Sequence, residues 1–112
     1  MKRIEAIVRP ERLDAVKSAL VELGQSGLTV YEVKGHGIQR GVSLQWRGRE
    51  YTVDLLPKIA VVACVHDHEV QDCIDVIVKM GRTNRIGDGK IFVAPIEQVV
   101  RIRTGESGAE AL

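Results

Sequence analysis

The chain has 112 residues, the length of a single domain. Its hydrophobic residues, 45% of the total, suffice for a small core, and its formal net charge of +1 provides no broad basic surface for nucleic acid. No apolar run has transmembrane length, and the first residues do not form a signal-peptide core. We therefore expect a cytoplasmic domain without membrane insertion. The two cysteines, Cys64 and Cys73, match no metal spacing and are predicted to be core thiols.

The first half of the chain predicts a strand, a helix and a second strand. Residues 3–9 alternate in polarity and place one apolar face on Ile4, Ala6 and Val8. Pro10 ends that strand and suits the first turn of a helix, whose apolar stripe consists of Leu13, Val16, Leu20 and Leu23. Gly24 and Gly27 are natural helix ends. The β-rich residues 28–34 then predict the second strand.

A segment without a clear period, from Gly35 to Leu56, separates the two halves of the chain. It is rich in glycine and arginine, and it contains two of the four aromatic residues, Trp46 and Tyr51. Structureless segments of this length are uncommon in compact domains and are usually functional. We expect at most a short pairing of residues 42–46 with residues 51–55, and we interpret the segment as a partner-binding or ligand-gated loop.

The second half repeats the plan of the first. Residues 59–65 predict a buried strand, and Asp67 is expected to cap a helix whose core face consists of Val70, Cys73, Ile74, Ile77 and Val78. Residues 90–94 predict the last strand. Strand–helix–strand twice is the ferredoxin-like split βαβ fold (βαββαβ), an α+β fold with an antiparallel sheet and both helices on one face. We expect homo-oligomerisation through the other face.

The turn before the last strand, at residues 82–90, is the most informative motif in the chain. Gly87 and Gly89 let the backbone bend tightly and expose its N–H groups, and arginines and Lys90 add positive charge. Fixed to a strand, such a turn is suited to hold an anion, most plausibly a phosphate. The alternative is a hairpin turn in which Asp88 and Lys90 are simply solvated.

The tail of the chain, from Val99 to Glu106, alternates apolar and cationic residues. On an extended chain Arg101 and Arg103 would point the same way and could clamp phosphates. A solvated strand edge is the alternative.

Five motifs together resemble the PII nitrogen-regulatory signal proteins over essentially the whole chain. They lie, in order, at residues 33–37, 47–51, 54–58, 83–93 and 101–106. The resemblance implies one PII-type domain over residues 1–112 that assembles as a homotrimer. It also implies a long T-loop at about residues 36–56 between the second and third strands, a phosphate-binding B-loop at about residues 82–90 and a C-terminal segment at about residues 101–112.

The function that this resemblance implies is sensing, without enzymatic activity. ATP and ADP compete for a cleft between subunits, and 2-oxoglutarate binds beside Mg-ATP. The T-loop then changes shape and docks on ammonium transporters, nitrogen-metabolism enzymes or regulators.

The resemblance also assigns roles to individual residues. Nucleotide binding falls to Thr29, Gly35, Gly37, Gly87, Asp88, Gly89, Lys90, Arg101 and Arg103. Binding of 2-oxoglutarate falls to Gln39, Lys58 and Gly87, and Gln39 is also the Mg²⁺ ligand, a role that suits its hard amide oxygen. Tyr51 matches a tyrosine that some members have uridylylated or adenylylated, and Arg47 matches an arginine used against ammonium-channel pores.

The chain departs from the commonest family pattern at four places. Ile38 stands where many members have an arginine that supports the phosphates, so one charged contact is missing. Asn84 replaces a glycine, although asparagine tolerates left-handed backbone better than most residues. Residues 42–46 replace a more polar run, and Arg49 replaces a small residue, which is a phosphorylated serine in some members. The last two changes alter the T-loop and therefore the choice of partner.

Three other functions fit parts of the pattern. A small phosphotransfer enzyme on the same fold would need a base or nucleophile beside the phosphate, for which the candidates are His36, His66 and His68. We interpret these histidines as loop or surface residues. An RNA-binding sheet would need stacking aromatics and net positive charge, which are scarce here. A related sensor with another effector, such as bicarbonate or a metal, is favoured only by Ile38 and the unusual residues 42–46.

Overall fold

The computed structural model describes residues 1–37 and 42–112, with the backbone only at residues 42–46 and 51–53. Its strands and helices follow in the order β1 (Lys2–Val8), α1 (Leu13–Glu22), β2 (Leu28–Gly35), β3 (Val42–Trp46), β4 (Arg49–Val53), β5 (Leu56–Val65), α2 (Val70–Gly81) and β6 (Ile91–Pro95). Short 3₁₀ turns, Pro10–Arg12 and Asp67–Glu69, lead into the two helices. Within the described ranges, no helix has both the length and the apolar character needed to cross a membrane.

Four strands form one antiparallel sheet in the order β2-β5-β1-β6. Alternate residues of β1 and β5 share the face on which the core lies, and both helices cover that face. The helices bury Val16 and Leu20 of α1 and Cys73 and Ile77 of α2 against it. This arrangement confirms the predicted ferredoxin-like fold.

The other face of the sheet carries polar side chains among apolar ones. The Tyr31 hydroxyl donates a hydrogen bond to the Glu5 carboxylate at 2.7 Å, and Arg3 donates to the same carboxylate at 3.0 Å. Phe92 is 55% exposed in the single chain. No described helix covers this face, so it is the surface that a neighbouring subunit would have to bury.

Two local predictions around β5 were wrong. The strand begins at Leu56, three residues early, because β2 continues to a Gly35–Leu56 pair. Proline has no backbone N–H to donate to a neighbouring strand. Pro57 is tolerated in β5 because the pairing with β1 ends at Ile59, so β1 offers no carbonyl acceptor at position 57. Cys64 is exposed, since it pairs with Arg3 on the open face of the sheet, whereas Cys73 is buried as predicted.

Asp67 does not cap the second helix. Its carboxylate instead accepts a hydrogen bond from the amino group of Met1 at 2.7 Å. The cap is formed by Glu69, whose side chain accepts from the backbone N–H of His66 at 3.0 Å in a capping box. Glu69, the third residue of the 3₁₀ turn that leads into α2, therefore satisfies the backbone donor of His66.

The loop between β2 and β5 contains a hairpin of its own. Strand β3 matches the predicted residues 42–46, but its partner β4 runs from Arg49 to Val53 instead of from residue 51 to residue 55. The turn consists of Arg47 and Gly48, with φ values of 52° and 77°. Positive φ at both central residues is the geometry that two-residue hairpins prefer, and it fixes this register.

The tail folds back on itself and is not an extended strand. The backbone N–H of Gly105 donates to the Arg101 carbonyl at 2.8 Å, and Val100 bridges to Ser107. Residues 102–104 are the tip of this turn, and Ile102 is fully exposed there. The expected common direction of Arg101 and Arg103 therefore no longer follows from strand geometry.

Candidate functional site

A cavity of about 520 Å³ opens where β2 ends, β5 begins and the 82–90 turn enters β6. Its walls include Gly35, His36 and Gly37 on one side, Leu56 and Lys58 on another, and residues 85–90 on the third. The Gly35–Leu56 pair closes the base of the long loop at this cavity. A ligand bound here would therefore lie against both ends of that loop.

The carboxylate of Asp88 closes the 82–90 turn. It accepts hydrogen bonds from the backbone N–H groups of Thr83 at 2.8 Å and Asn84 at 3.0 Å, from the Thr83 hydroxyl, and from the Nε of Arg9 at 2.9 Å. The Thr83 and Arg9 bonds hold the pKa of Asp88 far below its ordinary 3.8. Asp88 is therefore neither the solvated turn residue of the alternative interpretation nor a side chain aimed at a ligand, and only its backbone can serve an anion.

Left-handed backbone at three residues gives this turn its shape. Asn84, Gly87 and Gly89 have φ values of 64°, 105° and 86°. Asn84 thus adopts the conformation that its tolerance of left-handed geometry allowed. Gly89 is more strictly required, because a Cβ atom there would lie 1.8 Å from the carbonyl oxygen of Ile7 in β1. The turn is consequently pressed against the main sheet.

Two cations hold the carbonyl groups of the turn. The Nη2 of Arg9 donates to the Ile86 carbonyl at 2.7 Å, and the Nζ of Lys58 donates to the Gly87 carbonyl at 2.7 Å. In the described part of the chain, the backbone N–H groups of Gly87, Asp88 and Gly89 have no hydrogen-bond acceptor. Free donors on a fixed turn form a concave site for an anion.

Both of these cations are buried, with Arg9 8% exposed and Lys58 9% exposed. Burial first, and the positive charge of Arg9 second, lower the pKa of Lys58 below its ordinary 10.5. A bound anion would favour the charged form and oppose both effects. Lys58, which lines the cavity, is thus placed to gain from an acidic ligand.

The structure brings most of the sequence-predicted site residues to one cavity. Those that line it are Gly35, Gly37, Lys58, Gly87, Asp88, Gly89 and Lys90. Thr29 does not line it, because it pairs with Val62 four residues along β2 from the strand pair that contains Lys58. Gln39, Ile38 and the side chain of Tyr51 lie outside the described residues, although the Tyr51 backbone pairs with Leu44 in the hairpin.

The two C-terminal arginines also lie outside the cavity of their own chain. Arg101 donates to the Glu106 carboxylate at 3.5 Å and to the Glu110 carbonyl at 3.2 Å, and Arg103 is exposed at the turn beside it. Arg47 is at the tip of the β3–β4 hairpin. Of the histidines, His36 lines the cavity, whereas His66 and His68 stack on each other at the start of α2.

Arg9 and Thr83 are the residues of this site that sequence reasoning missed. Arg9 was assigned only as the end of a strand, and Thr83 only as part of a motif. Asp88 lies 79 residues from Arg9, and no local pattern links the two. The one signal in the sequence was a single arginine between an apolar strand and a proline. The same pattern is common at surface positions without a functional role.

Comparison with known proteins gives a consistent result over the whole chain. The family model described as nitrogen regulatory protein P-II matches residues 1–106. The chain is 54% identical to the nitrogen regulatory protein P-II of Microchaete diplosiphon and 53% identical to that of Azospirillum brasilense, over 112 residues and the full length of both. It is 51% identical to nitrogen regulatory protein P-II 2 of Methanothermobacter thermautotrophicus, covering all of this chain and 97% of that protein.

Proposed function

This chain belongs to the nitrogen regulatory protein P-II family, whose members are non-enzymatic regulators, and we propose that it senses ATP or ADP together with 2-oxoglutarate. In this proposal the ligands set the shape of the T-loop (residues 36–56), and the T-loop regulates nitrogen-metabolism partners. The observation that carries the proposal is the B-loop (residues 82–90), in which three backbone N–H groups beside Lys90 have no acceptor among the described residues and lie on a cavity wall.

The nucleotide fits the B-loop through its phosphates. Backbone N–H groups of Gly87, Asp88 and Gly89 supply hydrogen-bond donors without a competing acceptor among the described residues, and Lys90 adds charge. Gly35 and Gly37 leave room on the opposite wall, since a Cβ at Gly35 would meet only Lys58 at 3.6 Å. The donors match an anion of several oxygens, such as a di- or triphosphate.

The second ligand, 2-oxoglutarate, is assigned to Lys58 together with Gln39 and Gly87. Lys58 is buried on the cavity wall, where pairing with a carboxylate would offset the free-energy cost of burying its charge. Gln39, whose amide oxygen is a suitable hard ligand, would hold Mg²⁺, which would supply positive charge to the acidic ligands. Since Gly87 contacts both Lys58 and the phosphate site, the effector and the nucleotide would share one wall.

Thr29, Arg101 and Arg103 belong to the proposed site only if a second subunit supplies them. All three lie outside the cavity of their own chain, and the arginines are carried on an exposed turn. A homotrimer that buries the open sheet face would place one subunit's C-terminal segment beside its neighbour's cavity. The proposed nucleotide site therefore lies between subunits.

The T-loop is proposed as the output. Its two ends meet at the Gly35–Leu56 pair, which is also a wall of the cavity, so ligand contacts there can favour one loop conformation over another. The β3–β4 hairpin presents Arg47 at its tip, where an ammonium transporter, an enzyme or a regulator could bind.

The experiment that tests this function is calorimetric titration of 2-oxoglutarate into the protein with Mg-ATP, with Mg-ADP and without nucleotide. We expect binding only with Mg-ATP. Nucleotide binding without any 2-oxoglutarate binding would contradict the effector assignment and favour a related sensor of another effector, such as bicarbonate. Failure of both ligands to bind would contradict the proposed function as a whole.

A further inference from the structure

We propose that Arg9 is a positioning residue that turns the Gly87 N–H toward the phosphate site. The proposal rests on the proposed nucleotide binding and adds a residue that neither the sequence motifs nor the cavity wall identify. Arg9 follows β1 directly, its side chain is buried, and it is not among the residues that line the cavity. It therefore acts through its contacts with the B-loop and not by lining the cavity.

The guanidinium of Arg9 makes two contacts that together fix the turn. Its Nε donates to the Oδ1 of Asp88 at 2.9 Å, and its Nη2 donates to the Ile86 carbonyl at 2.7 Å. A planar guanidinium holds two acceptors at a fixed angle, whereas an ammonium is a point charge without that fork. One side chain thus links the carboxylate that closes the turn to a peptide group at its tip.

The Ile86 contact determines where the next N–H points. The carbonyl of Ile86 and the N–H of Gly87 belong to one peptide group, and the described residues contain no cis peptide bond. In a trans peptide the two groups point in opposite directions. Because Arg9 holds the Ile86 carbonyl, the Gly87 N–H points to the side of this peptide group opposite the guanidinium, and Gly87 itself lines the cavity.

Without the guanidinium this peptide group could rotate. Gly87 lacks the steric barrier that would oppose a flip on its side of the peptide group, since glycine occupies both signs of φ. A flipped peptide would turn the Ile86 carbonyl toward the phosphate and remove one donor. We therefore expect loss of Arg9 to weaken nucleotide binding more than its effect on stability alone would account for.

The chain offers a matched control in Arg12. This residue is also a partly buried arginine, and its Nε donates to the Met80 carbonyl at 2.7 Å, joining the 3₁₀ turn to the end of α2. Among the described residues, Arg12 makes no hydrogen bond or ion pair with the B-loop, and it does not line the cavity. Replacing it removes a comparable bond without touching the Gly87 peptide.

The test compares wild type, Arg9→Gln, Arg9→Lys and Arg12→Gln by calorimetric titration with ADP, alongside thermal unfolding. We expect Arg9→Gln to weaken ADP binding by about tenfold or more, the scale of one charge-assisted hydrogen bond. Arg9→Lys should restore part of that loss, and Arg12→Gln should stay within about twofold of wild type while losing thermal stability. In ligand-free ¹H–¹⁵N spectra, the Gly87 cross-peak should move in both Arg9 variants and not in Arg12→Gln.

Two results separate this inference from the proposed function. If wild type binds ADP and both Arg9 variants bind it equally well, the positioning role is wrong and the proposed function stands. If wild type does not bind ADP, the proposed function fails. Independently of ADP binding, a Gly87 cross-peak that stays in place in Arg9→Lys would overturn the positioning role. Should Arg9→Gln fail to fold, the Arg9→Lys titration and spectrum decide the question.

Discussion

The B-loop and the T-loop reach the same cavity, but they are held in very different ways. The B-loop is braced by hydrogen bonds from Arg9, Lys58 and Thr83, and its backbone touches β1 at Gly89. In the described part of the T-loop, β3 and β4 pair with each other and form a sheet separate from the main one. Isolated two-stranded hairpins are marginally stable. The comparison teaches that one loop has the fixed geometry that the proposed ligand site needs, whereas the other can change at small energetic cost.

The largest expected effect comes from Gly89→Ala, which disrupts the contact between the B-loop and β1. The new Cβ would overlap the Ile7 carbonyl, so the B-loop must move or the β1–β6 pairing must open. We expect the free energy of unfolding to fall by about 3 kcal/mol or more, as in other severe backbone clashes, and nucleotide binding to be lost.

The matched control for this substitution is Gly24→Ala. Gly24 also has a left-handed φ, of 96°, but a Cβ there meets nothing within 4 Å. Gly24→Ala should lower the free energy of unfolding by only about 1 to 2 kcal/mol, the strain of a left-handed backbone at a residue with a Cβ atom. Urea denaturation measures both variants, and equal losses would show that the β1 contact does not brace the B-loop.

The next effect concerns the two lysines of the cavity, which should respond in opposite ways. Lys58→Ala is expected to abolish 2-oxoglutarate binding and to leave most of the ATP affinity, because Arg9 still donates to the Ile86 carbonyl of the peptide group that carries the Gly87 N–H. Lys90→Ala should weaken ATP first, by about tenfold, and 2-oxoglutarate only as a consequence. Titration of each variant with both ligands checks the pattern. Loss of both ligands in Lys58→Ala, or full ATP affinity in Lys90→Ala, would contradict the assignments.

The acidic limb of the stability curve provides a smaller effect within the same loop. Hydrogen bonds from Thr83 and Arg9 depress the folded-state pKa of Asp88 below its ordinary 3.8. The stabilisation by Asp88 is therefore fully present above that value and is lost as the pH falls below it. Wild type should be more stable than Asp88→Asn at pH 7, and the difference should shrink below about pH 4. A difference in stability that is constant from pH 7 to pH 3 would contradict the stabilisation by an ionised Asp88 carboxylate.

The smallest effect is expected in the T-loop. Gly48→Ala places a Cβ at φ 77° in open space, so it strains only the two-residue hairpin turn. We expect about 1 kcal/mol of local strain and no change in the cooperative unfolding of the domain or in ADP affinity. Urea denaturation and ADP titration test this, and a loss as large as that of Gly89→Ala would remove the distinction between the loops.

The sequence predicted the fold well because its signals there are local. The helical stripe with Val16 and Leu20 appears as periodic apolar residues, and the structure buries both, together with Cys73 and Ile77 of α2. Leu23, which the same stripe predicted to be in the core, is exposed at the end of α1. The exposed position of Cys64 was missed, because a nearly unbroken apolar run at residues 59–65 does not reveal which side chains face the helices. The hairpin boundary was missed because Arg47 adopts positive φ, which arginine rarely does.

For the site, the sequence supplied the residues on the cavity wall but not what positions them. Glycine spacing indicated a tight turn, and Gly87 and Gly89 do have left-handed backbone. The hydrogen bond from Arg9 to Asp88 forms only because the end of β1 and the B-loop lie side by side in the fold, and no local sequence pattern encodes that contact. The folding back of the tail at Arg101 likewise depends on hydrogen bonds to Glu106 that alternation alone cannot predict.

The measurement that tests the central claim most directly is a ¹H–¹⁵N spectrum of the wild-type protein during titration with Mg-ATP. The claim is that the B-loop holds the phosphates through its backbone N–H groups. It predicts that the cross-peaks of Gly87, Asp88 and Gly89 shift more at saturation than that of Gly24, which does not line the cavity. ATP binding that leaves these three cross-peaks in place would contradict it.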